Sequence, residues 1–249
     1  GQLSTDSLAA LSLSFPLFMI MLAIGIGVGS GTNALISNAL GANRPEDAAV
    51  YQAQAISFGL IGTAIVAIPL YFLLEPIFGL FDAEGAVLRG ALRYMRVIVA
   101  GGVVMVLTNT LNAGLQARGN TKTFRNFLLL GFLLNIGLDP LFMFGFQIGG
   151  VTIMPALEEA GVAVATILVQ ALGILMVGRV LVKSGGLLNC GIRSYYPRKE
   201  IFREIASQAL PAALNFLTIA LGAFVINYFV SRFGRNAVAA YGTALRIEQ

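Results

Sequence analysis

One carboxylate sits where a carboxylate is costly. Residues 128–146 read LLLGFLLNIGLDPLFMFGF, an apolar run interrupted by Asp139, with Asn135 four residues earlier and Pro140 directly after. On a helix the amide and the acid share one face. A proline within a helix leaves one carbonyl without its usual donor and tends to bend the chain. Acid, amide and loosened backbone then converge on one spot, which is suitable chemistry for a proton or a bare cation such as Na+. At the centre of a membrane helix an Asp costs about 2.5–3.5 kcal/mol on insertion scales, and it is tolerated where it faces a protein-lined or watery cavity. Burial makes a carboxyl hold its proton more tightly, so an acid here could load a proton from one side and release it to the other, with a cation competing for the same oxygens. The opposing reading is an Asp that only ties helices together, a task that a neutral Asn performs at lower cost.

Other polar groups recur in apolar surroundings. In LTNTLNAGLQ, Asn109, Asn112 and Gln116 fall at i, i+3 and i+7 and share a face. Thr166 and Gln170 stand four apart further on. Amides in lipid must find partners inside a bundle. Interhelical hydrogen bonding is the expectation for Gln116 and Gln170, and a polar cavity wall is the expectation for Asn109 and Asn112. Arg89, Arg93 and Arg96 form a basic stripe whose side chains should snorkel toward water. The segment YYPRKEIFRE reads as an interfacial lead into the next span, with tyrosines at headgroup level and cations that could touch anionic lipid.

The elements that must position these groups are membrane helices. Of 249 residues, 57% are hydrophobic and 11% charged, against roughly 25% charged in an ordinary soluble domain. The mean hydropathy is +0.83. A globule of this size needs a polar exterior, so lipid must be the solvent for much of the surface. The net charge of +4 is spread over short loops, which gives no continuous face for nucleic acid. With one cysteine, Cys190, and no histidine, an internal disulfide, a His-ligated metal and a Ser-His-Asp triad are excluded within this chain. A spanning helix needs about 20 mostly apolar residues. Six such spans are expected at about 8–40, 50–74, 87–116, 124–146, 160–183 and 205–230, and a seventh begins near Ala237. They lack the alternation of barrel strands. In GIGVGSG, residues 25–31, Gly25 and Gly29 form a GxxxG pair suited to close helix packing.

Loop charges set the orientation. Arg44, Arg118, Lys122, Arg125, Arg179, Lys183, Arg193, Arg198, Lys199 and Arg203 make ten on one side, expected to be cytoplasmic. Arg89, Arg93, Arg96, Arg232 and Arg235 make five on the other. The chain then starts outside, which calls for an odd number of preceding crossings and suggests an internal piece of a longer protein. STDSLAALS at 4–12 also lies over GRNAVAAYG at 234–242, a 230-residue offset that suggests a second half repeating the first.

SLAALSLSFPLFMIMLAIGIGVGSGTNALISNALGA, NAGLQARGNTKTFRN, NIGLDPLFMFGF and GVAVATILVQ, taken in this order with the closing AVAAYGTALRIEQ, resemble the amino-terminal lobe of a multidrug and toxic compound extrusion (MATE) transporter. The resemblance implies an all-α, polytopic membrane bundle that is a fragment of a twelve-helix, two-lobe exporter. Residues 1–190 would be most of the first lobe (helices two to six), 191–204 a cytoplasmic interlobe linker, and 205–249 the start of the second lobe. It implies exchange of organic cations for protons or sodium, with Asn135 and Asp139 in the cation-coupling site and Asn109, Asn112 and Thr166 matching positions that line the same cavity. The family site also uses an acid in helix one, which these residues do not contain.

The expected function is therefore secondary active efflux by alternating access. The partners would be a small cationic or amphipathic substrate and the bilayer of a bacterial or archaeal plasma membrane, with no cofactor beyond H+ or Na+. A lipid-linked oligosaccharide flippase of related architecture is the alternative, although such a cavity should be more cationic. An intramembrane enzyme would need a nucleophile–base pair or a metal cluster, which this composition does not offer. A non-transporting structural subunit remains the third reading.

Overall fold

The computed structural model describes residues 5–148, 151–187 and 191–248. Cys190 lies outside them. Helices dominate for the reason the composition gives: in hydrocarbon every backbone N–H and C=O must be satisfied within the segment. The helices are α1 (Thr5–Gly41), α2 (Pro45–Gly79), α3 (Gly85–Gln116), α4 (Lys122–Phe144), α5 (Glu159–Lys183), α6 (Lys199–Ser231) and α7 (Arg235–Glu248). The first six are long and apolar enough to cross a membrane. They extend beyond most of the expected spans because their end turns are polar. Pro45 opens α2 at a first-turn position where its missing N–H costs nothing, with Glu46 and Asp47 favourable against the helix dipole. Asn120 accepts hydrogen bonds from the Thr123 N–H (3.2 Å) and hydroxyl (3.1 Å) at the start of α4.

Between α4 and α5, where a plain loop was expected, the chain makes an antiparallel hairpin of β1 (Phe146–Ile148) and β2 (Val151–Met154). Its return strand leads the chain back onto the end of α4. The Leu157 and Glu158 N–H groups donate to the Phe142 and Met143 carbonyls at 2.9 and 3.1 Å, satisfying groups that a helix C-terminus leaves open. Likewise α6 begins at Lys199, inside the stretch expected to be linker, after a single 3-10 turn at Ile192–Tyr195.

Helix α1 is the centre of the bundle and packs against α2, α3, α6 and α7, while α3 also holds α2 and α5, and α4 rests chiefly on α5. The main core lies toward the end of the bundle that holds the α2–α3 turn, where Leu13, Leu17 and Met21 meet Leu74, Phe78, Met95 and Ile98. A smaller cluster of Leu111, Leu115, Val177 and Leu181 closes the C-terminal ends of α3 and α5. Outward faces stay apolar and exposed, as at Phe72, Phe132 and Leu221, in keeping with hydrocarbon as solvent.

The glycine stretch is used on both sides. A Cβ on Gly25 or Gly29 would meet Asn109 of α3 at 3.2 and 3.4 Å, whereas one on Gly27 or Gly31 would meet α6 at Ala213 and Ala209, at 2.8 and 2.9 Å. The expected GxxxG pair does pack, but the tighter seam is the interleaved pair, Gly27 and Gly31. The repeat has a structural counterpart too. Positions 12 and 242, separated by the same offset as the sequence echo, meet: a Cβ on Gly242 would fall onto the side chain of its counterpart, Ser12. Contact between equivalent positions is the mark of a two-fold axis.

Candidate functional site

Helices α4 and α5 run antiparallel at close range. A Cβ on Gly161 would meet the Phe142 carbonyl carbon at 2.5 Å, one on Gly131 would meet Val169 at 2.8 Å, and one on Gly173 would meet the Phe127 ring at 2.6 Å. Together these contacts fix the register and put Thr166 level with Asn135. Asn135 and Asp139 are both half-buried on α4. Their Oδ1 atoms are buried and have no hydrogen-bond partner among the described residues. Pro140 lies within the helix without ending it, which frees the Ile136 carbonyl between the two side chains. Two orphaned side-chain oxygens and a freed carbonyl lie within about one helical turn. A buried polar atom without a partner costs about 1–3 kcal/mol, so the arrangement has acceptor capacity to spare for a proton or a monovalent cation. Among the described residues no three His, Cys, Asp or Glu side chains cluster as a transition-metal site would need.

Asn109 and Asn112 wall a different space. Together with Gly29, Ser30 and Asn33 of α1, Gln116 of α3 and Phe124 of α4, they line a cavity of about 300 Å³. Asn112 is 5% exposed and its Oδ1 has no partner among the described residues, whereas the Asn109 amide donates to the Met105 carbonyl at 3.0 Å. The register of α3 on α5, set by the Thr108 hydroxyl donating to the Gln170 carbonyl (3.0 Å), places Asn109 about eight residues beyond the level of Asn135, or about 12 Å along the helix axes. Neither Asn135, Asp139 nor Thr166 lines that cavity. The Thr166 hydroxyl donates to the Val162 carbonyl of its own helix at 3.0 Å.

Gln116 behaves as expected and accepts from the Asn33 amide of α1 at 3.2 Å. Gln170 does not: its Oε1 is buried without a partner among the described residues, because Thr108 satisfies the Gln170 main chain and not its side chain. In the basic stripe, Arg93 pairs with the exposed Glu158 instead of only reaching for water. Sequence reasoning passed over three residues. Glu159, next to the exposed Glu158, is 7% exposed and accepts the Ser7 hydroxyl at 2.6 Å. Gln52 and Gln54 are fully buried on α2. The signal for both glutamines was available, since they interrupt an apolar helix just as Asn109 and Asn112 do.

The sequence model of the MatE family matches residues 1–141, more than half of the chain. The chain belongs to the MatE family. A FAD transporter of Shewanella oneidensis is 30% identical over 247 residues, which cover 99% of this chain and 54% of the relative. The multidrug export protein MepA of Staphylococcus aureus is 27% identical over 243 residues, covering 97% of this chain and 52% of the relative. The fold superposes on a structure described as the inward-facing conformation of a multidrug resistance MATE family transporter of the MOP superfamily, with a TM-score of 0.86 and 30% identity over 98% of this chain and 54% of that one. The chain thus spans about half the length of the relatives it matches. It is a multi-pass membrane protein of a transporter family, with α1–α5 and α6–α7 corresponding to consecutive parts of those longer chains.

Proposed function

We propose that this chain is the first lobe and the opening of the second lobe of a secondary active exporter working by alternating access, with Asp139 carrying the coupling ion and Asn135 as its partner. Residues 1–190 form the lobe that holds the ion, 191–204 connect the lobes, and 205–249 begin the second. The observation that carries this reading is the pair of buried, unpartnered Oδ1 atoms one helical turn apart on α4. A merely structural Asp would have closed a hydrogen bond to a neighbouring helix. Proton or Na+ binding satisfies that oxygen, and a ligand with unequal affinity for two packings of the lobe shifts their populations. The amide-lined cavity of Asn109 and Asn112 takes polar parts of a small amphipathic or cationic substrate, and Thr166 stands beside Asn135 at the level of the ion. Similarity to a FAD transporter and to a multidrug export protein supports small-molecule transport.

The test is Asp139→Asn in the full-length protein, reconstituted into proteoliposomes with a proton or a sodium gradient imposed separately. Ion-driven efflux should fall to background while insertion and thermal stability stay near wild type. Efflux at the normal rate with either ion removes Asp139 from the coupling role.

A further inference from the structure

The connection between α5 and α6 is clamped to the membrane face of α2. The fully buried Gln54 side chain donates to the Ser194 and Tyr196 carbonyls at 2.5 and 2.7 Å and accepts the Arg198 N–H at 2.9 Å. One turn on, the Ser57 hydroxyl donates to the Tyr195 carbonyl at 2.6 Å. On either side, the Tyr51 hydroxyl donates to Glu204 at 2.7 Å, and Phe58 meets the edge of Phe202 with ring centroids 5.2 Å apart.

The depth of this clamp follows from α2 itself. Its 35 residues span about 52 Å, against about 30 Å of hydrocarbon. Tyr51 and Tyr71, the two tyrosines of α2, stand about 30 Å apart along the axis, the spacing of the two aromatic belts at the membrane interfaces. Gln54 is one turn inside Tyr51. The clamped segment therefore lies at headgroup level, not in the aqueous phase. What it presents there is one-sided. Ile192 is 82% and Tyr196 67% exposed. Arg193, Arg198, Lys199 and Arg203 are all exposed, and among the described residues none forms an ion pair or donates a side-chain hydrogen bond. Of the two acids in the same stretch, Glu204 is engaged by Tyr51 and Glu200 is exposed.

We infer that residues 192–203 form a preorganised site for anionic phospholipid headgroups, in which Ile192 and Tyr196 enter the acyl boundary and the four cations hold the phosphate. Lipid is the occupant because the clamp fixes the segment at its level and because the free charges are cationic. Each cation held near an anionic surface contributes about 1 kcal/mol, and here the backbone is already ordered by Gln54 and Ser57. The site joins the first lobe to the first helix of the second, so bound lipid acts where the two parts meet.

The test uses the full-length protein in nanodiscs of phosphatidylcholine with graded phosphatidylglycerol, counting retained phosphatidylglycerol by native mass spectrometry. Replacing Arg193, Arg198, Lys199 and Arg203 by Gln should weaken retention at least about tenfold. The same replacement at Lys122, Arg125, Arg179 and Lys183, equal in charge and on the same face, should leave it within about threefold. Equal loss in both sets, or none in the first, overturns the site. Gln54→Met and Ser57→Ala keep every charge but loosen the clamp, and both should lower retention. If Gln54→Met does not fold, Ser57→Ala carries this arm. Wild-type retention in the folded clamp variants overturns the preorganised geometry.

Discussion

Alanine substitutions along residues 25–31 should separate two seams that look alike in sequence. A Cβ on Gly27 would lie 2.8 Å from the Ala213 Cβ and 3.0 Å from the Ala209 carbonyl oxygen, and one on Gly31 would lie 2.9 Å from the Ala209 nitrogen and the Ile205 carbonyl oxygen. Unstrained contacts need about 3.5–4.0 Å. Helix α6 must therefore retreat by roughly 0.6–1 Å, and the obstacles are mostly backbone, which cannot rotate aside. Overpacking of this kind costs about 1–3 kcal/mol. Gly25 and Gly29 face Asn109 at 3.2 and 3.4 Å, and the nearest atom at Gly25 belongs to a side chain that can yield. The intrinsic gain of Gly→Ala in a helix, up to about 1 kcal/mol, applies at all four positions and cancels in the comparison. At about 2–4 °C per kcal/mol for a chain of this size, Gly27→Ala and Gly31→Ala should melt about 2–12 °C below Gly25→Ala and Gly29→Ala by scanning fluorimetry. Equal melting temperatures for the two pairs would refute the reasoning.

Four further outcomes are expected. Gly161→Val should wedge α4 from α5, because even its Cβ meets the Phe142 and Met143 backbone at 2.5–2.7 Å; a loss of about 1–3 kcal/mol should appear as faster tryptic cleavage at Arg125 and a lowered melting point. Ser57→Ala removes one buried hydrogen bond worth about 1 kcal/mol, so cleavage after Arg193 and Arg198 should accelerate about fivefold. Arg93→Ala breaks an ion pair whose side chains are 49% and 58% exposed, and melting should move by less than about 2 °C. Gly242→Val should wedge α7 from α1, because even its Cβ would overlap the Ser12 Cβ; a loss of about 1–3 kcal/mol should lower the melting point, and an unchanged one would place α7 elsewhere.

How much of this was legible depended on whether the signal was local. Six spans emerged with nearly correct limits because hydrocarbon imposes length and apolarity on each helix separately. The hairpin does not follow from the span pattern although FQI and VTIM flank Gly149–Gly150 in the sequence, a known turn signal, because two three- or four-residue strands are too short to stand out from an ordinary loop between spans. Asn135 and Asp139 could be singled out since a lone acid in lipid is conspicuous. Which of Glu158 and Glu159 turns inward could not, because the choice is made by Ser7, more than 150 residues away in sequence. The same holds for Gln54, whose partners Ser194, Tyr196 and Arg198 come from the connection between α5 and α6, about 140 residues away in sequence.

Helix α1 is narrow on two opposite sides, with Gly25 and Gly29 toward one neighbour and Gly27 and Gly31 toward another. It resembles a blade held between two plates. Rolling it about its long axis would swing Val28 or Ile26 into gaps sized for hydrogen atoms, so rotation is blocked. A rearrangement of α6 against the rest of the bundle cannot be driven by turning α1, because the alternation of four glycines holds that helix in one rotational setting.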